Sequence, residues 1–451
     1  MRESTLKTSV LLRVVLIGVL AIILLIPTLF VGLLVSDRQA SRAFAVREVT
    51  DKWGTAQTIV GPILTIPVTR LVKNKEGELH PHTRLVRILP ERLDVKADIA
   101  PEIRQRGIYD VALYTSRLNF EADFDSIQRH VESLAKGDID WDKATVTVGI
   151  TDLKGIREIH SMMWNGRPLS PEPGLRAGQL LPSALTVQIG LSPEKGQHHF
   201  SLDLDLRGSE ELRVVPSARE TKVNANSPWA DPSFVGDFLP ENRQLTSDSF
   251  TASWHILEFN RNLPQSWVGD EQNPMASSFG VKLLLPVDEY QKTFRALKYA
   301  IMFIALTFLA FFVLDVLTKT PFHPVHYTLI GLALILFYVL LLSVSEYLTF
   351  NTSYGISSAS IILLIASYTR GITRQTGMSI KVGTHLSVLY GFLFVLLQLE
   401  DYALLLGSLG LFVILGIVMY MTRRVDWFSL GGITATPPQN LAASMAKDPR
   451  T

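Results

Sequence analysis

Apolar residues are spaced in two different ways along this chain, and the change of spacing divides it into parts. Residues 14–35 form an apolar run without a charge. At 1.5 Å per residue such a run crosses a hydrocarbon layer about 30 Å thick. A second apolar block, from about residue 299 to 422, resolves into five runs at 299–317, 327–349, 354–369, 382–399 and 402–422. The run 354–369 is short and serine-rich, so it gives the weakest signal. Between the blocks the period shifts from helical to alternating. Residues 38–57 continue helically from the first run, with Phe44, Val49 and Trp53 near one face, and Gly61-Pro62 predicts the helix end. Strand patterns follow at 63–73, 85–89, 93–99, 109–124, 144–151, 185–191 and 200–206. Only the stalk and residues 125–134 suggest helix in this region.

The predicted fold is a membrane protein of α plus β class. Six transmembrane helices carry a large, mainly antiparallel, sandwich-like β domain between the first and second spans. The expected layout is an N-terminal segment 1–13, a span 14–35, a helical stalk 36–58, a β-rich domain 59–295, a five-helix bundle 296–422 and a tail 423–451.

Charge gives this layout a direction. Arg2, Lys7 and Arg13 precede the first run. Counted from a cytoplasmic N-terminus, the inner connectors carry Lys319, Arg370, Arg374 and Lys381, and the tail begins with Arg423 and Arg424. The short outer connectors carry neither Lys nor Arg, as the positive-inside rule requires. Both termini are therefore expected in the cytoplasm and the β domain on the outer face, which is the periplasm under the resemblance described below. Ala43-Phe44-Ala45 looks like a cleavage site for a secretory signal. The apolar run is too long for that reading, and Asp37, Arg38 and Arg42 intervene, so an uncleaved anchor is expected.

Composition narrows the chemistry. The formal net charge of +1 gives no basic excess for nucleic acid. Cysteine is absent, which removes disulfides, thiolate metal sites and thiol nucleophiles. The sequence lacks a G-x-S-x-G elbow, an H-E-x-x-H helix, a phosphate-binding loop and a dinucleotide fingerprint. His80 and His82 alternate and His198 and His199 are adjacent, but two histidines fall short of a metal centre, so they read as solvated loop residues. Asp203 and Asp205 fit a wet strand face better than an acid–base pair. No catalytic residue, metal or cofactor is expected. The lipid bilayer is the expected partner, with other envelope proteins or lipids as further candidates.

The stretch 229–267 is unusually aromatic. Trp229, Pro232, Phe234, Gly236, Asp237, Phe238 and Trp254 make a candidate interaction surface, set against the plainer reading of a loop packed on the core. Within the spans, Asp315, Glu346 and His385 are the ionisable positions of note. Asp315 sits one turn from Lys319, as an interfacial pair would, and Glu346 lies near the outer boundary. Polar residues elsewhere in the span centres are Ser, Thr and Gly, which weighs against ion-coupled transport. Gly331, Gly391, Gly407, Gly410 and Gly416 suggest close helix packing.

Several long strings resemble the CreD family of bacterial inner-membrane proteins. They include Val60-Gly61-Pro62-Ile63-Leu64-Thr65-Ile66-Pro67-Val68, Gly107-Ile108-Tyr109 leading to Phe120-Glu121-Ala122-Asp123-Phe124, and Pro232-Ser233-Phe234-Val235-Gly236-Asp237-Phe238-Leu239-Pro240. Tyr290-Gln291, Arg295, Lys298-Tyr299-Ala300 and Asp426-Trp427 extend the match over nearly the whole chain. The resemblance implies a protein of cell-envelope integrity, an output of the CreBC two-component system associated with envelope stress and β-lactam responses. It brings no catalytic residues with it. A lipid or small-solute transporter, or its accessory subunit, and a membrane-embedded enzyme stay open as alternatives.

Overall fold

The computed structural model describes residues 10–73, 78–173, 183–192, 196–285, 289–318, 323–399 and 402–423. The chain forms two units, one from Met1–Ala40 with Asp288–Thr451 and the other from Ser41–Val287.

In the first unit, helices Val10–Ile23 and Leu25–Trp53 take up the N-terminal apolar run, the second continuing past Ala40. Among the described residues, five helices are long and apolar enough to cross a membrane: Val14–Trp53, Pro324–Ser345, Phe350–Thr373, Thr376–Gln398 and Ala403–Thr422. The pair Lys292–Lys298 and Ala300–Leu314, bent by 48°, makes a sixth if it is one span. The weak run 354–369 lies inside a helix of 24 residues, Phe350–Thr373. Ser358, Ser360 and Ser367 are tolerated because their hydroxyls find helix carbonyls, as Ser358 Oγ does on Gly355 O at 3.1 Å, whereas the buried Ser357 Oγ has no partner among the described residues. The expected connector 370–381 shrinks to Arg374 and Gln375, since the next helix begins at Thr376 and takes in Lys381. Arg374 adopts the left-handed conformation that ends the earlier helix.

Aromatic rings fill the middle of this bundle. The Phe337 ring meets Tyr338, Tyr354 and Tyr390 edge-on, at centroid distances of 5.0, 5.4 and 4.8 Å. Tyr354 Oη donates to the Tyr390 carbonyl at 2.7 Å, a bond between neighbouring helices. Two of the five glycines perform the expected packing role. A Cβ on Gly331 would strike the Leu24 side chain, and one on Gly410 the Phe392 ring, whereas Gly391, Gly407 and Gly416 have open space.

The second unit is built from two sheets. One runs in the order Pro232–Gly236, Phe279–Leu283, Glu211–Val214, Gln57–Lys73, Thr145–Ile150, Ala184–Gln188, Glu172–Pro173, with further strands on Gln57–Lys73. The other runs Asn242–Leu245, Phe250–Leu257, Glu220–Ser227, Arg92–Arg106, Tyr109–Phe124, His198–Ser209, Ile156–Trp164, Arg167–Pro168. Side chains from both sheets form one core, in which Leu64, Val146, Phe120, Leu202, Leu204 and Phe250 are buried. Alternation along His198–Ser209 explains this: Phe200, Leu202, Leu204 and Leu206 point inward and Asp203 and Asp205 outward.

The sheets are mixed, which refines the antiparallel expectation. Gln57–Ile59 pairs parallel with Leu212–Val214, and Arg92–Asp98 pairs parallel with Glu220–Asn226. The helix also stops earlier than Gly61-Pro62. It ends at Trp53, and Gly54 follows with φ 151°, its N–H still donating to Thr50 O at 2.8 Å. Gly61-Pro62 instead lies inside strand Gln57–Lys73, where the register with Thr145–Ile150 shifts between Val60 and Ile63. A proline lacks a ladder donor, so a bulge is where a central strand can accept one. The stalk is correspondingly shorter than 36–58, and the domain begins before residue 59 and closes before residue 295.

Trp53 fixes the helix end to its sheet. Its ring lies between the guanidinium groups of Arg104 and Arg207, 4.2 and 4.3 Å from the centroid, and its Nε1 donates to Tyr114 O at 3.2 Å.

Candidate functional site

The aromatic stretch turns mostly inward. Trp254 is 2% exposed, and its Nε1 donates to Phe238 O at 3.2 Å. Phe234 packs edge-on against Phe250 and Trp254, and Phe238 against Phe279. Trp229 is partly buried on the same core and donates from Nε1 to Asp231 O and Leu284 O, both at 3.2 Å. Pro232 and Gly236 belong to the edge strand Pro232–Gly236, and Gly236 and Asp237 are exposed. Geometry therefore divides the candidate surface: its rings hold the core, and Gly236, Asp237 and the 76%-exposed Leu239 face outward.

In the helical unit, Glu346 follows helix Pro324–Ser345 and accepts an ion pair from Arg38 Nε at 3.3 Å. His385 is half-buried in Thr376–Gln398, and its Nε2 has no hydrogen-bond partner among the described residues. Asp315 lies in helix Ala300–Thr318, and its expected partner Lys319 lies outside the described residues. These three positions are not drawn into one site by any described contact.

The β domain carries adjoining clefts of about 430 and about 640 Å³ that share Trp141, Leu191 and Ser192. The first also takes in Asp125, Arg129 and His198, and the second Asp138, Asp140 and Asp142. His198 is not a loop residue: it opens strand His198–Ser209, stacks on Trp164 at 5.5 Å, and meets Asn165 Nδ2 through Nδ1 at 2.9 Å. Burial pushes its imidazole below the ordinary range. His199 pairs with Asp123 at 2.8 Å. His80 and His82 likewise lie in a strand, Leu79–Ile88, on its exposed part.

One arrangement approaches a nucleophile–base pair. His130 Nδ1 meets Ser266 Oγ at 2.9 Å. The carboxylate on its far side, Glu91, is 3.9 Å from Nε2, beyond hydrogen-bond reach, and is held instead by Arg219 Nε at 2.6 Å. The carboxylate that would orient such a base is thus engaged elsewhere.

A group that could hold a metal does occur: Glu158, His160 and Asp205 offer donor atoms within 4.8 Å of one another. In the sequence Asp205 stands out on a wet strand face, whereas Glu158 and His160 do not. Their signal was Glu158-Ile159-His160, an i, i+2 pair of ligand types on one strand face. The third ligand lies 45 positions away and is joined only by strand pairing.

Comparison with known proteins bears on the whole chain. The family model described as "Inner membrane protein CreD" matches residues 9–428. A curated relative of the same description from Escherichia coli (strain K12) is 33% identical over 417 residues, covering 90% of this chain and 91% of its own. Among solved structures, an M1 zinc metallopeptidase mutant from Deinococcus radiodurans bound to a Tyr-Ser-Ala substrate matches at TM-score 0.21 and 12% identity, over 43% of this chain and 42% of that one. The metallopeptidase without the mutation matches at 0.18 and 10%, over 37% and 38%. Likeness this slight carries no argument about fold or zinc chemistry.

Proposed function

Because the chain belongs to the CreD family of inner membrane proteins, we propose that it supports cell-envelope integrity under stress, β-lactam challenge included, by binding rather than by catalysis. The family match over nine-tenths of the chain carries this reading. The β domain is the working part, and the helical unit anchors it. Deleting the protein should raise envelope permeability and lower tolerance of β-lactams under inducing conditions. Unchanged permeability, morphology and tolerance would sink the proposal.

The proposed threading has six spans, both termini cytoplasmic and the β domain periplasmic. The Arg38–Glu346 pair supports it. Those residues follow the first span and the helix Pro324–Ser345, and they share one face only if the bent pair between them crosses once. Arg370, Arg374 and Arg423 fall on the opposite face in that threading, as the positive-inside rule requires. Reporter fusions after residues 150 and 423 should report opposite compartments. The same compartment for both would exclude this path.

A further inference from the structure

We propose that Glu158, His160 and Asp205 form a binding site for a divalent transition-metal cation of the zinc class, on the outer face of the eight-stranded sheet. The site is independent of the envelope reading. His160 Nε2 lies 3.3 Å from Asp205 Oδ2, and His160 Nδ1 lies 3.7 Å from Glu158 Oε1. Asp205 and Glu158 face different ring nitrogens; taking one donor atom from each residue, the three lie within 4.8 Å of one another, and swinging the exposed Glu158 side chain round to the Nε2 side would close them on one ion with bonds of about 2.0–2.2 Å. One imidazole and two carboxylates suit zinc and its first-row neighbours better than magnesium or calcium, which prefer oxygen alone.

Backbone pairing explains why the three meet. Asp205 is the register partner of Glu158, so both carboxylates leave the sheet side by side on one face. Ser161 pairs with Asp203 and Ile159 with Leu204, which leaves His160 as the extra residue of a bulge. A bulge is a means of re-aiming a side chain, and here it brings the imidazole to the two carboxylates.

Charge supplies the second reason. Like charges directly opposite on neighbouring strands are destabilising. Arg117 offsets the Asp205 charge only from a distance, so the two facing carboxylates still repel. Arg117, the register partner of Asp205 on its other side, directs Nη2 and Nε to Asp203 instead, at 2.9 and 3.3 Å. A divalent cation would satisfy both carboxylates at once, with coordination positions left for water because the site is open. A protonated His160 bridging the two carboxylates is the rival account of the same spacing.

The test uses the full chain in detergent, stripped with a chelator and titrated calorimetrically with zinc ion, with magnesium ion as the hard-cation control. Wild type should bind one zinc ion and not respond to magnesium at the same concentrations. His160→Ala and Asp205→Asn should each weaken zinc binding at least tenfold. His199→Ala, which removes another sheet-face imidazole beside Asp123, should leave it unchanged. Zinc should also raise the melting temperature of wild type and not of His160→Ala, which separates lost binding from lost folding. Zinc binding equal in wild type and His160→Ala would overturn the site in favour of the bridging imidazolium. Equal weakening by His199→Ala would reduce it to nonspecific surface binding.

Discussion

Gln57 has every polar atom of its side chain in use. It is fully buried, its Nε2 donates to Asp152 O at 3.0 Å and Arg207 O at 3.1 Å, and its Oε1 accepts from Asp152 N at 3.1 Å. Truncation would take a partner from Asp152 N and from the part-buried Asp152 and Arg207 carbonyls, the former of which keeps Gly155 N, so Gln57→Ala should destabilise the β domain by about 1–3 kcal/mol in denaturant unfolding. Trp254 makes a sharper case, because it was a candidate for recognition. Its burial predicts that Trp254→Ala costs about 3–5 kcal/mol of domain stability. Wild-type stability in that variant would return the residue to the surface reading. Histidines set a pH dependence. Burial, opposed by Glu91 and aided by Arg219 and Arg129, holds His130 below its ordinary 6.5, and burial alone does so at His198. Folded, these rings bind fewer protons than unfolded. Stability is therefore present above the unfolded value and is lost as pH falls from 6.5 toward the folded values. His130→Gln should flatten the decline in melting temperature between about pH 7.5 and pH 5. An identical slope would remove His130 as its source. Such residues could not be read from sequence, since Gln57 and His130 acquire their partners from positions far along the chain.

Elements were more legible than residues. Phe200, Leu202, Leu204 and Leu206 alternate so regularly that strand, face and wet side follow from period alone. The apolar runs equally announced the long helices, because the hydrocarbon length leaves little choice. Boundaries failed where a local signal served another purpose. Gly61-Pro62 looked like a helix stop and marks a strand bulge, and Lys381 looked like a connector residue and lies in a helix. Both parallel pairings were invisible, because nothing in Gln57–Ile59 names Leu212–Val214 as its neighbour. At this scale Gly236 is informative. It ends the edge strand Pro232–Gly236 with φ 95°, and a Cβ there would strike the Ser278 carbonyl. Gly236→Ala should destabilise by more than about 1 kcal/mol through strain and backbone clash, against a negligible effect for Gly196→Ala, where no atom lies within 4 Å. Comparable melting temperatures for the two would contradict that crowding.

Across the whole molecule, the sequence made the plan of anchor, domain and bundle plain, while the sites within it stayed hidden. Strand Gln57–Lys73 is the hub of the ten-stranded sheet: it pairs with Leu79–Ile88, Asp138–Ile139, Thr145–Ile150 and Glu211–Val214. Its last neighbour is synthesised some hundred and fifty residues after it, and Phe279–Leu283 must then cover that neighbour. Contacts of such separation close late. A nascent chain halted before residue 279 would hold its hub strand with Glu211–Val214 unpaired on one side, open to proteases and to other strands. Quality control on the emerging polypeptide thus has a long window in which to act, and premature stop codons within the domain's final third should yield degraded fragments instead of shortened, folded ones.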